Sequence, residues 1–237
     1  MTATGELAAP RAILFDWDNT LVDNWAVIAL ALNATFLALG RPTWTEAEVR
    51  ANVRQSARES FAVWFGTRAK EAEEVFYGTF ASRHLEALRP MTTAERALDA
   101  AREAGIYLGV VSNKNGGFLR AEAAHLGWTP RFGHIVGATD TARDKPAIDP
   151  VLAALDGSGI VPGPDVWFVG DAGIDMECAR NAGCVPVLIR SEGADGAEFE
   201  RWPPRLHLPD CAALAATLAR RSPDGTRLAS MGLPGKT

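Results

Sequence analysis

Asp16 and Asp18 stand two apart in the string Asp16-Trp17-Asp18-Asn19-Thr20, directly after the apolar run Ala12–Phe15. Carboxylates released at the C-terminal end of a buried strand can both turn into one crevice, where open α/β sheets hold their ligands. Such a pair suits a hard cation such as Mg2+, which takes oxygen ligands and keeps several waters. It also allows a division of labour. One carboxylate can attack phosphorus to give an aspartyl-phosphate. Its neighbour can protonate the departing alcohol and later activate a water.

Further along the chain stand groups that complement this chemistry. Ser112-Asn113-Lys114 follows an apolar run, and a hydroxyl with backbone amides ahead of a helix can hold phosphate oxygens. Lys145, in Arg143-Asp144-Lys145-Pro146, offers an ammonium to balance carboxylates and a phosphate. Gly170-Asp171-x-x-x-Asp175 places Asp171 at another strand end, where it would complete the oxygen set of a metal. Asp175 sits near a helix start, where it can ligate through water, orient Lys145, or simply complement the helix dipole.

The elements that must position these groups alternate. Strands are expected at 12–15, 106–111, near Ile135, at 166–169 and at 185–189. Between them, helices are expected at 117–126 and 174–182, and one opened by Thr92-x-x-Glu95 that ends at Gly105. Asp149-Pro150 caps another that reaches about Leu155. This rhythm predicts an α/β fold, a Rossmann-like parallel sheet covered on both faces. Pro186 lacks an amide hydrogen, so its strand should be an edge strand or carry a bulge. After the first strand the rhythm is interrupted by a helical block. Its helices run from about 24 to 39, from Thr45 with the capping box Thr45-x-x-Glu48, from Ser56 to Gly66, and from 67 to 88. The expected organisation is a core of residues 1–21 and 91–221, a four-helix cap of residues 22–90 hinged at 21–23 and 89–92, and a loose tail at 222–237.

Composition narrows the function classes. The chain of 237 residues is 47% hydrophobic with a net charge of −5, so a sizeable core is expected and a basic stripe for nucleic acid is not visible. Three cysteines without a C-x-x-C pattern, and four histidines without i,i+4 pairing, argue against a disulfide scaffold and a zinc site. Residues 1–10 carry no secretory pattern, and the apolar run 25–39 is too short for a membrane span, so a cytoplasmic protein is expected. The closing Gly232-Leu233-Pro234-Gly235-Lys236-Thr237 resembles a P-loop, but Ser230 stands where the first glycine belongs and no helix can follow. The block's aromatics Trp25, Phe36, Trp64, Phe65, Phe76 and Phe80 read as packing residues ahead of substrate-stacking ones, Arg54 and Arg58 as surface residues ahead of bidentate partners for a substrate carboxylate, and Cys178 as a small core residue.

Taken together, the order and spacing of these motifs resemble the haloacid dehalogenase-like hydrolase superfamily over roughly residues 12–190. The resemblance implies Asp16 as nucleophile and Asp18 as general acid/base, with Thr20 and Asp175 in support. It implies Ser112, Asn113 and Lys145 around the phosphate, and Mg2+ held by Asp16, the Asp18 carbonyl and Asp171. The helical block is similar to the superfamily's mobile cap. Dehalogenases of the superfamily lack an acid at Asp18, because a departing halide needs no proton; an alkoxide does. The motif series is most similar to that of phosphoglycolate phosphatases, with one departure at Asn19, where many relatives carry Gly. The expected activity is Mg2+-dependent hydrolysis of a small phosphorylated metabolite, phosphoglycolate-like or a sugar phosphate, by a monomer or homodimer. The alternatives are a phosphoglucomutase-like phosphotransferase and a non-catalytic binding protein on the same fold.

Overall fold

Ala12–Phe15 (β1) has no polar side chain because both of its faces are covered. Ile13 and Phe15 join one apolar cluster with Leu98, Leu119 and Leu214, whereas Ala12 and Leu14 join a second with Val151 and Cys178. Successive strand residues point to opposite faces, so a strand buried twice reads as an unbroken apolar run.

The computed structural model describes residues 7–53, 57–194 and 196–220. The tail at 222–237, the helix start at Ser56, Arg54 and the side chain of Arg58 lie outside the described residues. After β1, two short strands, β2 (Val22–Asp23) and β3 (Arg89–Pro90), pair antiparallel. They bracket α1 (Trp25–Ala38), α2 (Glu46–Asn52), α3 (Ala57–Phe65), α4 (Ala69–Ala81) and α5 (His84–Ala87). There follow α6 (Ala94–Glu103), β4 (Tyr107–Asn115), α7 (Gly116–His125), β5 (His134–Ala138), α8 (Asp149–Leu155), β6 (Val166–Gly170) and α9 (Gly173–Asn181). The last elements are β7 (Val185–Ile189), α10 (Ala197–Glu200), β8 (Leu206–Leu208) and α11 (Cys211–Ala219).

The larger sheet is parallel, in the order β5-β4-β1-β6-β7-β8. Helices α6, α7 and α11 cover one face and α8 and α9 the other. Chain order reverses on either side of β1, so the C-terminal ends of β4, β1 and β6 open a crevice at the switch point. Helices α1–α4 bury apolar clusters built on Leu32, Phe36, Phe61 and Phe65 and on Val27, Ala31 and Phe80, the second of which Phe118 of α7 joins. Among the described residues, no helix is long and apolar enough to cross a membrane.

Several local expectations needed correction. The helix expected over 67–88 is broken: Gly66–Arg68 forms a 3-10 turn, α4 stops at Ala81, and α5 restarts at His84. Pro186 lies in β7, which has β8 on its outer side and is not an edge strand. A strand residue points its N–H and C=O the same way, and the Pro186 carbonyl accepts from Arg205 N, just ahead of β8. The missing N–H therefore falls where β8 has not yet begun to pair. Thr92 caps nothing: Thr93 precedes α6 at φ 65 without a side-chain cap bond, and Glu95 instead accepts from the Trp128 indole at 3.0 Å. Asp149 is the first residue of α8 rather than its cap, and it pairs with Arg143 at 2.7 Å. The capping box of α2 forms as expected, Thr45 and Glu48 each bonding the other's backbone amide.

One close approach ties β5 to the turn that follows the β4 core. A Cβ on Gly137 would stand 2.5 Å from the Gly116 Cα and 2.6 Å from the Lys114 carbonyl, both backbone atoms that cannot rotate away. Gly137→Ala is therefore expected to cost about 1–3 kcal/mol in urea unfolding. An unchanged midpoint would mean that the two segments separate freely.

Candidate active site

Strands β1 and β6 run parallel and in register, so Asp16 and Asp171 leave their ends side by side. Carboxylate oxygens of Asp16, Asp171 and Asp175 all lie within 4.8 Å of one another. The fully buried Asp175 reaches this group because Gly170 has no side chain: a Cβ there would overlap its carboxylate, 2.3 Å from Cγ. Lys145 threads between them, donating to Asp16 Oδ1 at 2.6 Å and to Asp175 Oδ1 at 2.7 Å. The Lys145 backbone is pinned in turn by the Asn113 side chain. Asn113 Oδ1 accepts from Lys145 N at 2.9 Å, and Asn113 Nδ2 donates to the Lys145 carbonyl at 3.1 Å. Asn113 thus braces the lysine loop with both ends of its amide. Ser112 is buried at the mouth, its Oγ accepting from Lys114 N at 3.2 Å, and Thr20 donates to Asp171 Oδ1 at 3.3 Å. Asn19 holds the turn after Asp18 at φ 62. Asn tolerates that left-handed region better than most residues, so the loop keeps its path without Gly.

Asp18 turns to a second network. Its Oδ1 accepts from Lys114 Nζ at 2.7 Å and from Asn24 Nδ2 at 2.6 Å. Behind them stands Glu122 of α7, with no exposed surface. It takes the Trp17 indole N–H at 2.7 Å, Asn24 at 3.2 Å, Lys114 at 3.2 Å and His84 Nδ1 at 2.9 Å. Sequence reasoning missed Glu122, His84, Asn24 and Trp17, and assigned Lys114 no task of its own. One signal was available: Glu122 interrupts the apolar stripe of α7 between Leu119 and Ala123.

Charge in the crevice is unbalanced. Burial chiefly pushes the Asp16 carboxyl up to about 7, with Lys145 opposing and Asp175 and Asp18 adding to the rise. Burial, then Asp175 and Asp16, hold Asp171 well above the usual carboxylate range. Burial works against the Lys145 charge, but Asp16 and Asp175 outweigh it and raise the ammonium above its ordinary value. One lysine does not neutralise the cluster, and the donors are all oxygens, so a hard divalent cation fits here. Asp175 has both oxygens engaged, with Lys145 and with Ala172 N at 3.1 Å. Asp16 and Asp171 are therefore the carboxylates best placed to hold an ion.

The crevice opens into a cavity of about 760 Å³ roofed by α1, α3 and α4. Of the aromatics expected to pack, Phe36 and Phe65 are buried inside the helical block. Trp25, Trp64, Phe76 and Phe80 pack there and also line the cavity. Cys178 is a buried core thiol, which burial pushes up to about 12.

Glu122 is the shared acceptor of a cation, an imidazole, an amide and an indole, and its removal strands them in the interior. Glu122→Ala is expected to cost about 3–5 kcal/mol in urea unfolding. Glu122→Gln, which keeps an acceptor without the charge, should fall between that variant and the parent. A loss of less than about 1 kcal/mol in the Ala variant would contradict a structural role for this network.

Residues 13–189 match the family model described as haloacid dehalogenase-like hydrolase. Over 187 residues the chain is 34% identical to phosphoglycolate phosphatase of Xylella fastidiosa, spanning 77% of this chain and 80% of that one. Over 185 residues it is 33% identical to N-acetylmuramic acid 6-phosphate phosphatase of Pseudomonas aeruginosa, spanning 76% and 81%. A crystal structure of a HAD-superfamily hydrolase from Ehrlichia chaffeensis aligns with a TM-score of 0.62 at 27% identity, covering 91% of this chain and 99% of that one. The matched span runs from β1 to the end of β7 and holds the whole acidic crevice, and on that ground the chain belongs to the haloacid dehalogenase-like hydrolase family.

Proposed function

We propose that this protein is a Mg2+-dependent phosphatase that hydrolyses small phosphate monoesters through an aspartyl-phosphate on Asp16. The observation that carries this reading is the ammonium of Lys145 clamped between Asp16 and Asp175, with Asp171 alongside, at the switch point of the sheet. The relatives named for phosphoglycolate and N-acetylmuramic acid 6-phosphate support phosphoester chemistry.

Asp16 and Asp171, with the Asp18 carbonyl, would hold the ion, which when bound supplies positive charge against the phosphate oxygens. Ser112 and Lys145 bind and orient the phosphoryl group. An Asp16 carboxylate oxygen attacks phosphorus as the bond from phosphorus to the ester oxygen breaks. Asp18 gives a proton to that departing oxygen and then takes one from a water. The water oxygen attacks phosphorus, the bond to Asp16 breaks, and inorganic phosphate leaves with Asp16 restored. Lys114 and Asn24 aim the Asp18 side chain for both transfers. Residues 22–90 serve as a cap that limits access of bulk water to the acyl-phosphate.

Asp16→Asn is expected to lower turnover of 2-phosphoglycolate and related monoesters by roughly 10⁴-fold or more, with little loss of thermal stability. Retained turnover would remove Asp16 from the nucleophile's role.

The ion should also be visible in stability. The folded-state Asp16 value of about 7 lies above that of an unfolded carboxyl, and Asp171 is shifted the same way. The stability these groups contribute is complete below about pH 4 and is lost as pH rises through about 7. An ion that binds the ionised pair offsets that loss. The gain in melting temperature from Mg2+ over EDTA should therefore be larger at about pH 8 than at about pH 5. Equal gains at both would detach the ion from these carboxylates.

A further inference from the structure

In the mechanism proposed above the ester oxygen departs beside Asp18, so the rest of the alcohol must lie beyond that carboxylate. Lys114 Nζ, 2.7 Å from Asp18, is 4.8 Å from the centre of the Phe80 ring. From Phe80 the rings continue without a gap. Phe118 is 5.3 Å from Phe80, and Tyr77 is stacked 5.7 Å from Phe118. Phe76 is stacked 6.0 Å from Phe80, Phe61 is 5.3 Å from Phe76, and Trp64 is 6.1 Å from Phe61. All of these rings line the same cavity as Asp16 and Lys145. Trp64, Phe76, Tyr77 and Phe118 line this cavity and keep part of their surface uncovered.

Among the described residues, the cations that line this cavity are engaged by the protein. Arg50 makes two contacts to Glu46, Arg89 donates to the Glu86 and Leu88 carbonyls, Lys114 holds Asp18 and Glu122, and Arg190 pairs with Glu198. A second carboxylate lying against the rings would give up water and meet, among the described residues, only cations that already hold a protein acceptor. At about 760 Å³ the cavity, which includes the acidic crevice, also exceeds what a two-carbon acid needs. We infer that the preferred substrate is a phosphate monoester whose alcohol carries an aromatic or bulky apolar group, seated against Phe76, Tyr77, Phe80 and Phe118. This inference rests on the phosphatase reading and specifies the substrate class of that same site.

The test compares kcat/KM, with Mg2+, for 2-phenylethyl phosphate and ethyl phosphate, which share an alkyl ester bond and differ by one ring. 2-Phosphoglycolate and glucose 6-phosphate are run alongside, with the Asp16→Asn protein as the blank. The value for 2-phenylethyl phosphate should exceed each of the other three by at least about fivefold. Phe118→Ala and Tyr77→Ala should each narrow the ratio of 2-phenylethyl to ethyl phosphate, and an unchanged ratio in both folded variants overturns the inference. Should either variant fail to fold, the ratios of the parent protein decide alone. A smaller advantage, or a preference for 2-phosphoglycolate or glucose 6-phosphate, overturns the inference and leaves the phosphatase reading standing. No turnover of any of the four above the blank overturns both.

Discussion

Four acidic residues crowd one crevice, with Lys145 set among Asp16, Asp171 and Asp175 and Lys114 on Asp18. Asp16, Asp171 and Asp175 come together within 4.8 Å, in surroundings that disfavour the ionised forms of Asp16 and Asp171. Like charges held this close repel, and burial adds a desolvation cost to each. The arrangement is sustained by the double contact of Lys145 to Asp16 and Asp175 and by the grip of Asn113 on the lysine backbone. The strand ends supply the rest of the constraint, since β1 and β6 are hydrogen-bonded neighbours that cannot separate without breaking the sheet.

A second buried charge cluster joins the helical block to the sheet. Glu122 and Lys114 belong to the sheet side of the molecule, and Asn24 and His84 flank the two linkers of the block. The carboxylate of Asp18 is thus oriented by residues from both sides of β2 and β3. Any motion of α1–α5 that draws His84 or Asn24 away from Glu122 also alters what surrounds Asp18. The aromatic wall begins at the same place, with Phe80 and Phe118 closing around His84 at 5.1 and 5.0 Å. Asp18, the Glu122 network and the apolar wall are therefore joined by direct contacts.

The strand-end motifs were legible because their logic is local. An apolar run followed by Asp, Ser or Gly-Asp marks the point where a parallel strand leaves the core, and such points share one edge of the sheet. The helical insertion was legible for a similar reason, since Thr45-x-x-Glu48 is satisfied within a few residues. Where local signals misled, a distant partner had prevailed. Glu95 was read as half of a capping box, but the Trp128 indole claims it. Pro186 was read as an edge marker, but only one side of its strand loses a bond, and β8 starts one residue later. The Asn113 side-chain amide is taken by the lysine loop, a partner 32 residues on that no local pattern announces.

The sequence by itself determined which residue types stand at the ends of which strands, and hence the fold class, the family and the kind of chemistry available. Unbroken apolar runs that end in Asp, Ser or Gly-Asp and alternate with helical segments are enough for that, and they are short-range patterns, whereas the order of the strands in the sheet is not. Only the tertiary structure decided which atoms meet. Asp16 and Lys145 are 129 residues apart, and Trp17 and Glu122 are 105 apart. Contacts of that span depend on how helices pack across the sheet, which no periodicity encodes. The ring-lined cavity beyond Asp18 is of the same kind: its members come from α3, α4 and α7, and they become one surface only when those helices are packed over the crevice.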